Sequence, residues 1–293
     1  MSLVLPTLAF IFGWLTAIWK SAETLKVFCS RILARFFIPF VIIYNMVYYQ
    51  SGSLSLMLFS FVSAFLVYLG FVYFFKDRLI ALCASYVNLA WLGFPFALAI
   101  FGHQISSAMI ALYIGGSLFG NIWAVSAVSS APQDTLSLAK KVVFSPPVIA
   151  LIISAILRLL QVQNFQEPSW VLHLYQFAKV GMVFTGMCVL GMWLRHTKVE
   201  KADLWHSVCV MLPKLLFGVI ICSVSYFCIP IDTFKDYIGL MLFLFCLPPA
   251  ANIVALETHY QGTGYSARYI AAGTIVSIVV ILIFGLVWHV LKG

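Results

Sequence analysis

The chain has 293 residues, of which 63% are hydrophobic and only 9% charged, and its formal net charge is +8. A water-soluble globular chain carries roughly 25% charged residues, so this composition excludes a soluble domain and makes the lipid bilayer part of the solvent. In a soluble protein the positive charge would suggest nucleic acid; here the basic residues fall between apolar runs and read as determinants of membrane orientation, so no nucleic-acid partner is expected.

A spanning helix takes ~20 apolar residues. On that measure about ten apolar segments follow one another, at roughly 3–19, 32–49, 54–75, 79–101, 105–130, 142–161, 168–194, 205–228, 236–257 and 267–290. A lone strand in lipid leaves its backbone unpaired, and these runs are too long for barrel strands, so all are predicted to be helices. No Lys or Arg precedes the first run and no small-residue cleavage pattern follows it, so it reads as a permanent helix and not a secretory signal.

The stretches after segments 1, 3, 5, 7 and 9 read as loops. They hold Lys20, Lys26, Arg31, Lys76, Arg78, Lys140, Lys141, Arg195, Lys198, Lys201 and Arg268, with Arg35 just inside segment 2. The other side holds only Arg158, Lys235 and Lys292. The positive-inside rule puts the first set in the cytoplasm, which makes both termini extracytoplasmic in a multi-pass protein of the cell (inner) membrane.

The longest polar stretch, Ser129 to Lys141, divides the chain into a first half (1–130), a short cytoplasmic linker (131–141) and a second half (142–293). Each half holds an odd number of segments, so the second enters the membrane inverted relative to the first. That is the arithmetic of an inverted-repeat transporter.

The fourth segment of each half is interrupted. The first reads Asn88-Leu-Ala-Trp-Leu-Gly93-Phe-Pro95 and the second Leu247-Pro248-Pro249-Ala-Ala-Asn252. Proline removes a backbone donor and clashes with the carbonyl one turn earlier, and glycine weakens a helix further. Matching interruptions in the two halves point to a substrate site, because a broken helix leaves free N–H groups that suit an anion. The bland alternative is a pair of simple kinks, as expected at Pro39, Pro146, Pro147 and Pro213.

With Gly181-Met-x-Phe184 and Leu190-Gly191, these motifs resemble the auxin efflux carrier family over nearly the whole chain. The resemblance implies two inverted five-helix repeats, with broken fourth and ninth helices crossing at mid-membrane near the substrate. It implies transport of a small organic anion and places Asn88 at the asparagine that meets substrate carboxylate in the plant carriers. It also implies a scaffold of helices 1, 2, 6 and 7 that can carry a homodimer contact. The long central loop of the plant carriers is absent, and the Pro-Pro-Ala-Ala-Asn sequence is that of bacterial permeases, so the plant substrate does not carry over.

The expected substrate-binding set is therefore Asn88, Gly93, Pro95, Pro248, Pro249 and Asn252, with Asn121 and Lys214 as polar residues inside spans. Gly116-x-x-x-Gly120 beside Asn121 is read as a helix-packing motif. Lys179 near the outer surface reads as a snorkelling residue, and Glu257 as a solvated helix end. Neither cofactor nor metal is expected. The histidines lie at segment ends, and the seven cysteines form no C-x-x-C pair and read as small apolar residues. No nucleophile–base set or Walker-type loop marks an enzyme or an ATP-driven pump. A membrane sensor with a carrier fold is a weaker reading, and a sodium-coupled organic-anion symporter of the bile-acid type is the runner-up among carriers.

Overall fold

In a computed structural model, residues 4–19, 21–48, 53–128, 143–144, 146–164, 168–251, 253 and 265–292 are described. Asn252, Glu257 and the 131–141 linker lie outside the described residues, as does the side chain of Asn121.

The described chain is helical, with an isolated β-bridge and no strand. The helices are α1 (Val4–Thr16), α2 (Ala22–Ile32), α3 (Ile38–Val47), α4 (Ser53–Phe75), α5 (Arg78–Ser85), α6 (Phe94–Phe101), α7 (Ser106–Val128), α8 (Pro146–Leu159), α9 (Ser169–His196), α10 (Lys201–Cys228), α11 (Asp232–Asp236), α12 (Ile238–Cys246) and α13 (Tyr265–Lys292). Among the described residues four helices are long and apolar enough to cross a membrane, over Leu54–Phe75, Ser169–His196, Lys201–Cys228 and Ser266–Leu291. Shorter apolar helices occupy Thr7–Thr16, Arg35–Tyr44, Leu89–Phe101, Ser106–Gly120 and Val148–Leu159. This is the character of an all-helical membrane protein.

Side-chain burial agrees with lipid as the surrounding solvent. Along α10 the buried face carries Ser207, Val210, Met211, Lys214, Gly218, Cys222 and Ser225, mostly small or polar, whereas Leu212, Leu216, Val219, Ile220, Val224 and Phe227 are exposed. In water this arrangement would be inside out. In lipid, small and polar residues form the interfaces between helices and apolar ones face the tails.

The helices pack in two groups. In one, α1 lies along α9 and α3 along α8. In the other, α4 packs on α5 and α7, and α10 on α12 and α13. Glycines set the α1–α9 spacing: a Cβ at Gly13 would land on the carbonyl oxygen of Cys188, and one at Gly191 on that of Phe10. The C-terminal ends of α1 and α9 lie together, since Arg195 donates to the Trp14 carbonyl at 3.3 Å and the His196 ring meets the Ala17 carbonyl at 2.9 Å. Near the end of α8, Arg158 likewise donates to the Met46 carbonyl at the end of α3, at 3.3 Å.

Two features differ from the sequence reading. Residues 22–31, expected as loop, belong to α2, which places Leu25 and Cys29 against α9 while Glu23, Lys26 and Arg31 face outward or pair locally, with a Lys26–Glu23 ion pair at 2.6 Å. Its apolar residues are spaced to line one helical face, a period that a reading built on long apolar runs overlooks. The second is a pair of π-helical segments, Leu33–Phe37 and Leu89–Gly93. Each ends just before a proline in the first turn of the next helix, Pro39 in α3 and Pro95 in α6. The wider turn draws the carbonyl four residues back away from the proline ring, which would otherwise collide with it.

Candidate functional site

The interrupted fourth segment begins with α5, whose first turn is capped by Asp77: Oδ1 accepts from the backbone N–H groups of Leu79 at 2.8 Å and Ile80 at 3.0 Å. α5 stops at Ser85, and the backbone of Tyr86–Asn88 leaves helical geometry. The ninth segment stops at Cys246, because Leu247 precedes Pro248 and takes an extended conformation.

The two interruptions meet. The Asn88 N–H donates to the Pro248 carbonyl at 2.8 Å, and the Ala250 N–H donates to the Tyr86 carbonyl at 2.8 Å. Val87 and Pro249 thus form an antiparallel bridge. Each broken helix satisfies backbone groups of the other, which lipid could not do.

Asn88 then starts the next stretch. Its Oδ1 accepts from the Trp91 N–H at 3.1 Å, capping the π-helix, and its carbonyl accepts from the Gly93 N–H at 2.9 Å. With Oδ1 in that role, Nδ2 makes no hydrogen bond among the described residues. Asn88 is buried and borders a cavity of about 170 Å³. Tyr86, Trp91, Tyr113, Ser117 and Ala250 also border it, and no charged side chain does among the described residues. Sites for drug-sized ligands run to ~300–1,000 Å³, so this one suits a small molecule. It offers amide and hydroxyl donors and aromatic walls.

The expected site residues separate into groups. Asn88 lines the cavity, and Pro248 and Pro249 form the bridge beneath it. The first break lies at Tyr86–Asn88, upstream of the expected Gly93–Pro95: Asn88 caps the chain back into helix, and Pro95 is accommodated by the wide π turn that precedes it. Gly93 lies at the crossing, where a Cβ would press on the Leu247 side chain at 2.8 Å, while Pro95 is buried outside the cavity. Asn252 and the Asn121 side chain lie outside the described residues.

Lys214 lies in a separate, smaller cavity on the other side of Val87, which borders both. Lys179 does more than snorkel: its ammonium donates to the Ser106 hydroxyl at 3.3 Å and sits 5.2 Å from the centre of the Tyr175 ring. Cys29 and Cys188 are buried together in the cluster where α2 meets α9.

Tyr86, Tyr113 and Ser117 were missed by the sequence reading. Tyr113 and Ser117 are one turn apart on α7 with Gly116 between them, a polar stripe in a span. The glycine motif also resolves differently. Gly116 borders the cavity, a Cβ at Gly120 would collide with the Tyr86 ring, and the close contact of α7 with α4 is at Gly115, against the Met57 carbonyl.

No group of three or more His, Cys, Asp or Glu side chains that could hold a metal occurs among the described residues. No protein-family model matches the chain, and no curated protein does.

Proposed function

We propose that the chain is a secondary carrier of a small organic anion, of the auxin efflux carrier type. It spans the cell membrane about ten times as two inverted repeats, with both termini outside and substrate bound where the fourth and ninth helices cross. The observation that carries this reading is the uncharged, donor-bearing cavity built on two mutually bonded helix interruptions. An anion crossing lipid unaided meets a prohibitive desolvation cost. Fixed dipoles can replace its water without a full counter-charge, which permits release as well as binding.

The packing supports the repeat. Exchanging segments 1–5 for 6–10 turns the α1–α9 pair into α8–α3, α4–α7 into α10–α13, and α4–α5 into α10–α12, and each exchanged pair is also in contact. The shared ends of α1 with α9, and of α3 with α8, match segments that cross in the same direction. The group of α1, α3, α8 and α9 would serve as scaffold and the other group as the moving core, exposing the site to each side in turn.

The test is equilibrium binding of a panel of small carboxylates (acetate, lactate, succinate, malate, benzoate) to purified protein, with uptake of any binder into proteoliposomes. Asn88→Ala is expected to remove a donor worth roughly 1.5–3 kcal/mol against a charged acceptor, or about a 10- to 100-fold loss of affinity. Undiminished affinity and uptake in a monodisperse Asn88→Ala protein would refute the site.

A further inference from the structure

The side chain of Lys214 is buried on α10, one residue after Pro213. Its Nζ donates to the Leu247 carbonyl at 2.5 Å. That carbonyl belongs to the residue that ends α12, just before the proline pair. A helix C-terminus carries unsatisfied carbonyls and about half a negative charge.

A second helix end borders the same place. Ala84 and Ser85, the last two residues of α5, line the small cavity beside Lys214, together with Leu244 and Phe245 from the last turn of α12. Ser60 and Ser63 of α4 add hydroxyls. One helix C-terminus thus meets the ammonium directly, and a second borders the same small cavity. No carboxylate pairs with that ammonium among the described residues, and the other titratable groups near it are the thiols of Cys83 on α5 and Cys246 on α12. About 20 Å³ of space remains, room for one water or an ion of that size.

Convergent half-helix C-termini and unwound carbonyls are how broken-helix carriers hold a coupling cation. We propose that the Lys214 ammonium is a built-in cation occupying a small-cation site formed by the ends of α5 and α12. The chain then needs no sodium ion there. Removing the ammonium leaves a small pocket lined by the two helix ends and by Ser60, Ser63 and Ser85, with the Leu247 carbonyl freed; the Ser63 and Ser85 hydroxyls donate to the Ser60 and Ala81 carbonyls and keep oxygen lone pairs for a cation, and a sodium ion fits by charge and size. The site stands on this geometry alone; its meaning for transport, sodium-independent movement of the anion, rests on the carrier reading above.

The experiment uses the full chain in lipid nanodiscs, with thermal midpoints compared in sodium chloride and choline chloride at equal ionic strength. The wild type is expected to melt at the same temperature in both. Lys214→Ala is expected to be less stable than wild type in choline and to gain roughly 2 °C or more in sodium. Lys214→Met, which refills the pocket with an apolar chain, is expected to ignore sodium. Should Lys214→Ala fail to fold, Lys214→Ser prepared in sodium chloride carries the same test. A wild type stabilised by sodium overturns the proposal. So does indifference to sodium in the folded Ala or Ser variant, or failure of both variants to fold in sodium where Lys214→Met folds. Binding of the carboxylate panel to wild type reports separately on the carrier reading, because a sodium response in Lys214→Ala does not depend on it.

Discussion

Asn88 shows how much one side chain contributes at the crossing. Its oxygen caps the π-helix through the Trp91 N–H, its side chain borders the cavity, and the proposal gives its amide protons to the substrate. An aspartate at this position keeps the capping oxygen and loses the donors. Asn88→Asp is therefore expected to fold as wild type yet fail to bind any carboxylate. Two unit charges ~4 Å apart at an effective dielectric of ~20 repel by about 4 kcal/mol, more than Asn88→Ala loses. Calorimetric binding with a thermal melt on the same sample separates the two effects, and a carboxylate-binding Asn88→Asp protein would contradict the assigned roles. At this scale the sequence was half legible. An asparagine beside a glycine and a proline in an apolar run stands out by its cost in lipid. Tyr113 and Tyr86 do not, because aromatic residues are common in spans and only the fold shows which ones meet a cavity.

The two interrupted segments differ in what breaks them. In the first, the chain leaves the helix at Tyr86, well before its proline, and is bent by pairing with the second. In the second, Pro248 forbids helical geometry at Leu247 outright. The proline pair is thus the cause and the first break the response. Pro248→Ala/Pro249→Ala is expected to let α12 run on through the crossing, drawing the Pro248 carbonyl away from the Asn88 N–H. Uptake of any transported carboxylate should be abolished while the protein still purifies as a single species; full uptake would show that the prolines are only kinks. Proline placement located the second break in the sequence and put the first about two turns too far along the chain. The exact site of the first was not legible, because it depends on a partner about 160 residues away in the chain (Asn88 to Pro248).

At the scale of the whole molecule, hydropathy located helices in each apolar segment, since continuous apolar runs in lipid admit little else. Which helix lies beside which was not legible, because glycines such as Gly13 and Gly191 act through partners that periodicity does not name. A single cysteine added after Gly293, in a chain whose exposed Cys209 and Cys228 are replaced by serine, is expected to react in intact cells with a membrane-impermeant maleimide. Reaction only after permeabilisation would reverse the orientation.

The reciprocal backbone bonds at the crossing also bear on biogenesis. When the ribosome has released the first half, the Asn88 N–H and the Tyr86 carbonyl lack the partners that arrive only with Pro248 and Ala250. α12, at nine residues, is about 14 Å long and falls short of a ~30 Å hydrocarbon core, so neither half has a self-sufficient interior. On the carrier reading each half would be an assembly intermediate, vulnerable to membrane proteases until the other inserts. Residues 1–130 expressed alone should be degraded rapidly, and co-expression of 142–293 as a separate chain should protect them in a pulse-chase. Equal lifetimes with and without the second half would show that the first half settles its backbone unaided.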